Sequence, residues 1–263
     1  GRLTDVHPDL LNSLQGKLDP PTARALQQRF PQLRIVFWWG DILTPQGQRR
    51  IEQAATFADR ILVSYRGIHE KLAPRHAGQL LYFPFAASPQ FHTPGTMTAA
   101  DGCRLAADVA FVGSCYPERC ELIHYLNARL EKPVRVWGRG WRHCRGVRSH
   151  GALSLADCMK VYANAGVTLN LHHRDTENGC NMKFYEIPAA GGFQVCDWQP
   201  ALQDTALGRL TTACRSPQAF LERIRHSLEH PQERATLAAR AHAEVLANET
   251  YETRFTNLLK QLY

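Results

Sequence analysis

The chain lacks any run of about 18 consecutive apolar residues, so its sequence offers no transmembrane helix. The opening residues, GRLTDVHPDLLNS, hold no apolar signal core and no targeting segment, and without an initiator Met the start reads as trimmed. Pairs of the C-x-x-C kind are also missing. The eight cysteines stand singly within periodic segments, which favours a reduced, cytosolic compartment over a disulfide framework. No Lys/Arg tract is interleaved with aromatic residues, so nucleic acid is not expected as a partner. A metal is not expected either. His143-Cys144 and His172-His173 are adjacent pairs without a second pair at zinc spacing, and no Asp-x-Asp occurs. There is no internal repeat and no low-complexity tract.

What the chain does have is alternation. At 263 residues and 44% apolar composition it is long enough for two αβ lobes, each burying its own core. The net charge of +7 implies attraction to anions: a solvated basic surface, an affinity for nucleotide diphosphates, or contact with an anionic membrane face. Residues 9–14 form a weak apolar segment of strand character, and Pro20-Pro21 opens a helix over 22–30. The clear strand at 35–39 delivers Gly40 and Asp41 to its carboxyl end, where ligands approach open αβ sheets. A helix over 46–58, a strand at 60–64, a helix from 68 stopped by Pro74, and a strand at 80–85 follow. That order points to a parallel sheet with right-handed crossovers.

Pro, Gly, Ser and Thr then crowd residues 86–102, a natural link between lobes. The pattern restarts with a buried strand at 106–113, the turn GSCYPER, a helix over 118–130 and a strand at 134–137. The loop GRGWRHCRG comes next, and it either contacts phosphate or is simply solvated. A helix over 155–165 leads to a central stretch, after which come a helical segment at 200–207, a strand at 210–213, a helix over 217–228 and a helical tail broken near Asn248. The expected domains are 1–88, a linker 89–105, a second lobe 106–247 and a closing helix 248–263.

The central stretch, VTLNLHHRDTENGCNMKFYEIPAAGGFQVCDW, runs from Val167 to Trp198. Its first five residues read as a strand buried on both faces. A polar loop follows, Gly179 permits a tight path, and Asn181 is a good N-cap for a helix whose unpaired N–H groups would face an anion. Lys183 in the first turn opposes the helix dipole, which a bound anion explains better than helix stability does. Glu186 lies three residues on, on the same face, and the plainer reading is a local ion pair between the two. Ala189, Ala190, Gly191 and Gly192 end the helix sharply against the sheet before the strand at 193–197.

Within this stretch, NGCNMKFYEIPAAGGF resembles the signature of group-1 glycosyltransferases of the spore-maturation (CgeB-like) type, in which Asn-Met-Arg-x-x-Glu precedes Ala-x-Gly-Gly-Phe. AFVGSCYPER, VWGRGW and ETYETRF stand in the expected order, and WWGD and YFPFA extend the likeness more weakly toward the N-terminus. The resemblance implies an α/β, GT-B-type fold: two Rossmann-like lobes facing a cleft, the first short or truncated, with C-terminal bracing helices. It implies metal-independent transfer of a sugar from a nucleotide-diphosphate donor, with no further cofactor, to a glycan, lipid-linked or protein acceptor. The place implied is the cytoplasm or the inner membrane face, as in cell-surface polysaccharide biosynthesis.

Carried over residue by residue, the resemblance makes Lys183 and Arg119 the phosphate-neutralising groups, with Arg139 nearby in the Gly-Arg loop. Gly113 and Ser114 would offer backbone N–H groups, Asn181 would shape the anion-binding turn, and Glu186 would hold the ribose hydroxyls. Lys183 replaces the usual Arg, which keeps the charge and loses the bidentate fork. The broader group carries a Glu eight positions before the ribose-binding one; here that position is Asn178, beside Glu177, and an amide still hydrogen-bonds a sugar hydroxyl. His172 and His173 end the strand near the donor sugar, as a base, as hydroxyl binders, or as packing and capping residues. Asp41 is the preferred acceptor-activating base, or it caps a turn. A sugar-nucleotide epimerase and a catalytically silent nucleotide-binding module on the same fold are the other readings.

Overall fold

A computed structural model of the chain describes residues 8–176 and 178–263. They form two compact units. One runs up to Phe85 and includes Asp175–Gly179 and Leu258–Tyr263; the other comprises Ala86–Arg174 and Cys180–Asn257.

The first unit contains β1 (Leu10–Leu14), α1 (Pro20–Arg29), β2 (Arg34–Trp39), α2 (Pro45–Ala54), β3 (Arg60–Val63), α3 (Arg66–Leu72) and β4 (Leu80–Tyr82). Its sheet has the order β1-β2-β3-β4 and every pairing is parallel. The central strands read RIVFWW and RILV, and Ile35, Val36, Ile61, Leu62 and Val63 are fully buried. Continuous apolar runs of this kind suit parallel strands covered on both faces. The crossover helices start at caps: Asp19 accepts from the Thr22 N–H and Thr44 from the Gly47 N–H, each followed by Pro in the first turn. Helix α2 then packs closely on the sheet, since a Cβ at Gly47 would lie 2.4 Å from the Trp39 ring.

The second unit opens with two short helices, α4 (Pro89–His92) and α5 (Ala99–Leu105), within the segment read from sequence as a linker. The Thr and Asp there serve a capping box between Thr98 and Asp101, and Asp101 further binds Lys160 at 2.7 Å. Then follow β5 (Val109–Val112), α6 (Pro117–Asn127), β6 (Arg135–Trp137), α7 (Leu155–Asn164), β7 (Val167–Asn170), α8 (Lys183–Ala189), β8 (Gln194–Asp197), α9 (Ala206–Leu210) and β9 (Thr212–Cys214). Three helices close the chain: α10 (Pro217–Glu229), α11 (Pro231–Asn248) and α12 (Tyr251–Leu262). The five strands are parallel in the order β6-β5-β7-β8-β9. The winding therefore reverses between β5 and β7, and the carboxyl ends of those strands form the switch point at which open αβ sheets take ligands.

The helical tail breaks at Glu249 and Thr250, where the chain pairs with Ala87 through Ala87 N–H to Glu249 O at 2.8 Å and Tyr251 N–H to Ala87 O at 2.9 Å. Among the described residues no helix is long and apolar enough to cross a membrane.

The Gly-Gly turn after α8 has separate tasks for its two residues. Gly191 takes φ +80°, and a Cβ at Gly192 would lie 2.2 Å from the Tyr162 carbonyl oxygen of α7. Because that obstacle is backbone, Gly192→Ala is expected to cost about 2 kcal/mol or more and to lower the thermal midpoint by roughly 4–8 °C, read from a circular-dichroism melt.

Candidate functional site

The carboxyl ends of β5 and β7 bring two cations to one aromatic ring. Arg119, in the first turns of α6, is 7% exposed, and its guanidinium carbon lies 5.6 Å from the Phe111 ring centre. The Lys183 ammonium, from the start of α8, lies 5.0 Å from the same ring centre. Lys183 as a residue is only half-buried, but its ammonium turns inward and donates to the Val112 carbonyl at 3.1 Å. Arg119 donates to the carbonyls of Ser114 at 3.0 Å and Leu171 at 2.8 Å, while its buried Nε has no partner.

Neither cation forms an ion pair with a carboxylate among the described residues. Burial, with Arg119 adding to it, pushes the Lys183 ammonium down to about 7, and burial likewise pulls Arg119 below its ordinary value. Glu186 and Asp197 offset this in part from beyond ion-pair distance, so two desolvated cations share the site with no carboxylate in contact with either among the described residues. Gly113 makes the approach possible, since a Cβ there would lie 3.1 Å from Phe111 and 3.2 Å from the Lys183 nitrogen.

One turn along α8, Glu186 is buried enough to be pushed above its ordinary value, with Lys183 pulling the other way. Its oxygens accept no hydrogen bond among the described residues, and the ion-pair contact it makes there is to His92 Nε2 at 3.9 Å. Burial lowers His92 as it raises Glu186, so it works against the charged form of this contact on both sides.

On the other side of β7, Asp197 at the end of β8 grips His172. Its Oδ1 accepts from both the His172 backbone N–H at 2.8 Å and Nδ1 at 2.9 Å. Burial raises this carboxyl, but the bonds from His172 outweigh it and hold Asp197 below its ordinary value. With Nδ1 as donor, the buried Nε2 of His172 is left without a partner. His173 stacks edge-on against Tyr116 at 4.6 Å, and Tyr116 also receives Arg119 at 4.8 Å.

The structure corrects three expectations. The helix after the loop begins at Lys183 with Met182 in the cap position, and the N–H groups of Phe184, Tyr185 and Glu186 are all taken by the carbonyls of Asn181 and Met182. The chain makes a turn before the helix, which consumes the donors expected to face an anion. Asn181 does accept from Phe184 at 3.2 Å, but its amide is committed to Asn170 at 2.9 Å. Gly113 offers no free N–H because it pairs with the Trp137 carbonyl at 2.8 Å, one residue past the β5–β6 ladder; the Ser114 N–H makes no hydrogen bond among the described residues. Finally, the cysteines do not all stand singly: Cys120 and Cys144 are disulfide-bonded, and Cys115 lies beside them. The fold of β5, α6 and β6 closes a separation of 24 residues that sequence spacing hides.

The other expected site residues sit within their own units. Arg139 is exposed, and its carbonyl accepts from Cys115. Asp41, at the carboxyl end of β2 in the first unit, is exposed and accepts from the Ile42 N–H at 2.8 Å. Asn178 belongs to the first unit with φ +46°, a left-handed conformation that Asn tolerates, and its carbonyl accepts from Gly67. Glu177 lies outside the described residues.

A family model described as glycosyl transferase-like matches residues 119–260, more than half of the 263-residue chain. The chain belongs to that family. No curated protein matches by sequence. Among solved structures, the chain is similar to a sucrose-phosphate synthase from Thermosynechococcus elongatus, with 17% identity, TM-score 0.65, and coverage of 97% of this chain and 73% of that one. It is also similar to Anabaena HepE in complex with UDP-glucose, at 13% identity, TM-score 0.65, and coverage of 97% and 78%. A third is a UDP-forming trehalose-phosphate synthase from Burkholderia xenovorans in complex with glucose-6-phosphate, at 13% identity, TM-score 0.67, and coverage of 98% and 73%. At these identities the likeness establishes the fold, the two-sheet α/β arrangement of GT-B glycosyltransferases.

Sequence reasoning about this glycosyltransferase missed the amide chain under α8 and the partner of His172. Asn170 donates to Gln194 at 3.1 Å and Gln194 to the Phe184 carbonyl at 2.9 Å, tying β7, β8 and α8 together with buried side chains. A polar residue inside each of two strands otherwise read as apolar was the available signal. For Asp197 it was an acid at a strand's carboxyl end, next to the strand whose chain runs on into His172.

Proposed function

We propose that Arg119 and Lys183 hold the diphosphate of a nucleotide-sugar donor, and that the chain transfers the sugar to a glycan, lipid-linked glycan or protein acceptor. The observation that carries this is the pair of desolvated cations on the Phe111 ring, neither of them ion-paired to a carboxylate among the described residues. A diphosphate supplies the missing anion, and the two cations stabilise the leaving-group charge as the sugar departs. They do so from protein side chains, which together with the lack of an Asp-x-Asp supports a metal-independent reaction. The Arg119 Nε, orphaned now, gains an acceptor.

Glu186 accepts the ribose hydroxyls, for which its unfilled oxygens are suited. A cavity of about 520 Å³ along the loop after β6, lined by Gly138, Gly140, Trp141, Arg142, Val147 and Ser149 among others, offers room for the nucleoside. Trp141 links it to the phosphate end through its bond to the Gly113 carbonyl at 2.8 Å. His172 Nε2, held by Asp197, accepts a proton or a hydroxyl hydrogen bond from the reacting groups. The motif NMKFYEIPAAGGF supports a place in the spore-maturation branch of the family.

Calorimetric titration of UDP, GDP, ADP, CDP and dTDP tests the donor site. One of the five is expected to bind saturably, and Gly113→Ala is expected to weaken it about tenfold by crowding Lys183 against Phe111. Absence of binding by all five to a folded sample removes the donor-site assignment. Release of a changed free sugar without any acceptor replaces transfer with epimerisation.

A further inference from the structure

Helix α6, the turn before it and the loop after β6 bring three cysteines together, with His124 beside two of them. Cys115 precedes the helix, and Cys120 and His124 lie four residues apart on one of its faces. Cys144 comes from the loop. The chain takes left-handed glycines on either side of Cys144, Gly140 at φ +84° and Gly146 at φ +82°, and a Cβ at Gly140 would lie 3.4 Å from the Cys115 Cβ. The sulphurs of Cys115, Cys120 and Cys144 all lie within 4.8 Å of one another. His124 approaches the same group, with Nδ1 3.9 Å from the Cys120 sulphur and Nε2 3.7 Å from that of Cys144.

The Cys120–Cys144 disulfide uses two of these groups and leaves Cys115 a free thiol, with His124 held by the Arg145 carbonyl. A tetrahedral ion uses all four. Zinc at about 2.3 Å from thiolate sulphur spaces its sulphurs about 3.8 Å apart, a spacing the three cysteines reach once the disulfide is open. His124 Nε2 already contacts the Arg145 carbonyl, so with Nε2 as donor the tautomer leaves Nδ1 as the ligand atom, the usual outer support of a metal-bound histidine. Three thiolates and one divalent ion leave a net negative site, on a loop that also carries Arg139, Arg142, Arg145 and Arg148.

We propose that, with its cysteines reduced, the chain binds one zinc-class divalent ion through Cys115, Cys120, Cys144 and His124, pinning the start of α6 to the loop after β6. Opening the Cys120–Cys144 disulfide takes two electrons and two protons from a thiol or phosphine reductant; the three thiols then lose their protons to solvent as the ion binds, with no further change of oxidation state. The proposal does not depend on the donor reading, because the ligands are distinct from Arg119 and Lys183.

The full chain, purified without chelator in a phosphine reductant, is titrated with cobalt(II) and then with zinc. Expected is one equivalent of cobalt with sulphur-to-metal charge transfer and the visible bands of a tetrahedral ion, displaced by zinc. Cys115→Ser and His124→Ala each weaken affinity at least tenfold, whereas Cys103→Ser leaves it unchanged. In the wild type, zinc protects the three named cysteines from alkylation, read by mass spectrometry, so the result stands even where a variant fails to fold. Reduced, folded wild type that gives no stoichiometric cobalt spectrum overturns the proposal. So does a spectrum that survives Cys115→Ser intact, or alkylation that zinc does not change; the cysteine pair is then a plain disulfide.

Discussion

Lys183→Met is expected to make the protein more stable and unable to bind its donor. The ammonium is held near 7 against an ordinary 10.5, because burial and Arg119 both act against its charge. Between those two values the unfolded chain carries a proton that the folded chain lacks, so this group's contribution to stability falls as pH drops from about 10.5 to about 7 and stays low below that. Methionine fills similar space without the charge. At neutral pH it should raise the unfolding free energy by roughly 1–3 kcal/mol, a few degrees in midpoint, and flatten the rise of stability with pH across that window. Nucleoside diphosphate affinity should fall at least 100-fold in the same variant.

The sign of the proton linkage gives a second readout on the wild type. Above pH 7 the free site is increasingly neutral, and a bound diphosphate restores the ammonium, so binding takes up one proton. The association constant should therefore fall toward tenfold per pH unit above about 7, and titrations in buffers of different ionisation enthalpy should report the uptake. A Met variant that is less stable, or wild-type binding that is flat with pH, would show that Lys183 is a structural residue and not the diphosphate's partner.

The fold was legible where burial writes itself into composition. RIVFWW, RILV and VTLNL announce strands covered on both faces, and Pro20 and Pro217 mark helix starts that the structure places at those residues. The Gly191-Gly192 turn was legible as a sharp helix end, but the backbone that Gly192 packs against is the Tyr162 carbonyl of α7, which the sequence does not show. The site was less so. Lys183 and Arg119 could be named from the resemblance, but that they share one ring depends on Phe111, a core residue by every local sign. The availability of backbone donors was misjudged, because whether an N–H is free depends on where the preceding carbonyls turn, and Asn181 and Met182 turn inward. The cysteine cluster joins residues from two elements, and spacing rules see one element at a time.

Asp197→Asn should separate chemistry from binding. The substitution keeps shape and an oxygen for the His172 backbone N–H, so the loop after β7 stays in place, but it removes the charge facing Nδ1. That charge is what stabilises a protonated imidazole, and a general base contributes roughly 10²–10⁴-fold when so supported. The expected outcome is a kcat lowered about 10–100-fold with diphosphate affinity within twofold of wild type. His172→Ala should lose about 10²–10³-fold, and the double variant should be no worse than His172→Ala, because the carboxylate acts through the imidazole. If the two losses instead multiply, Asp197 touches the substrate itself. Its carboxylate is about a third exposed while the His172 side chain is fully buried, so the carboxylate has its own route to a ligand. In that case the exposed acid is the reacting base, and the buried histidine serves to hold it in place.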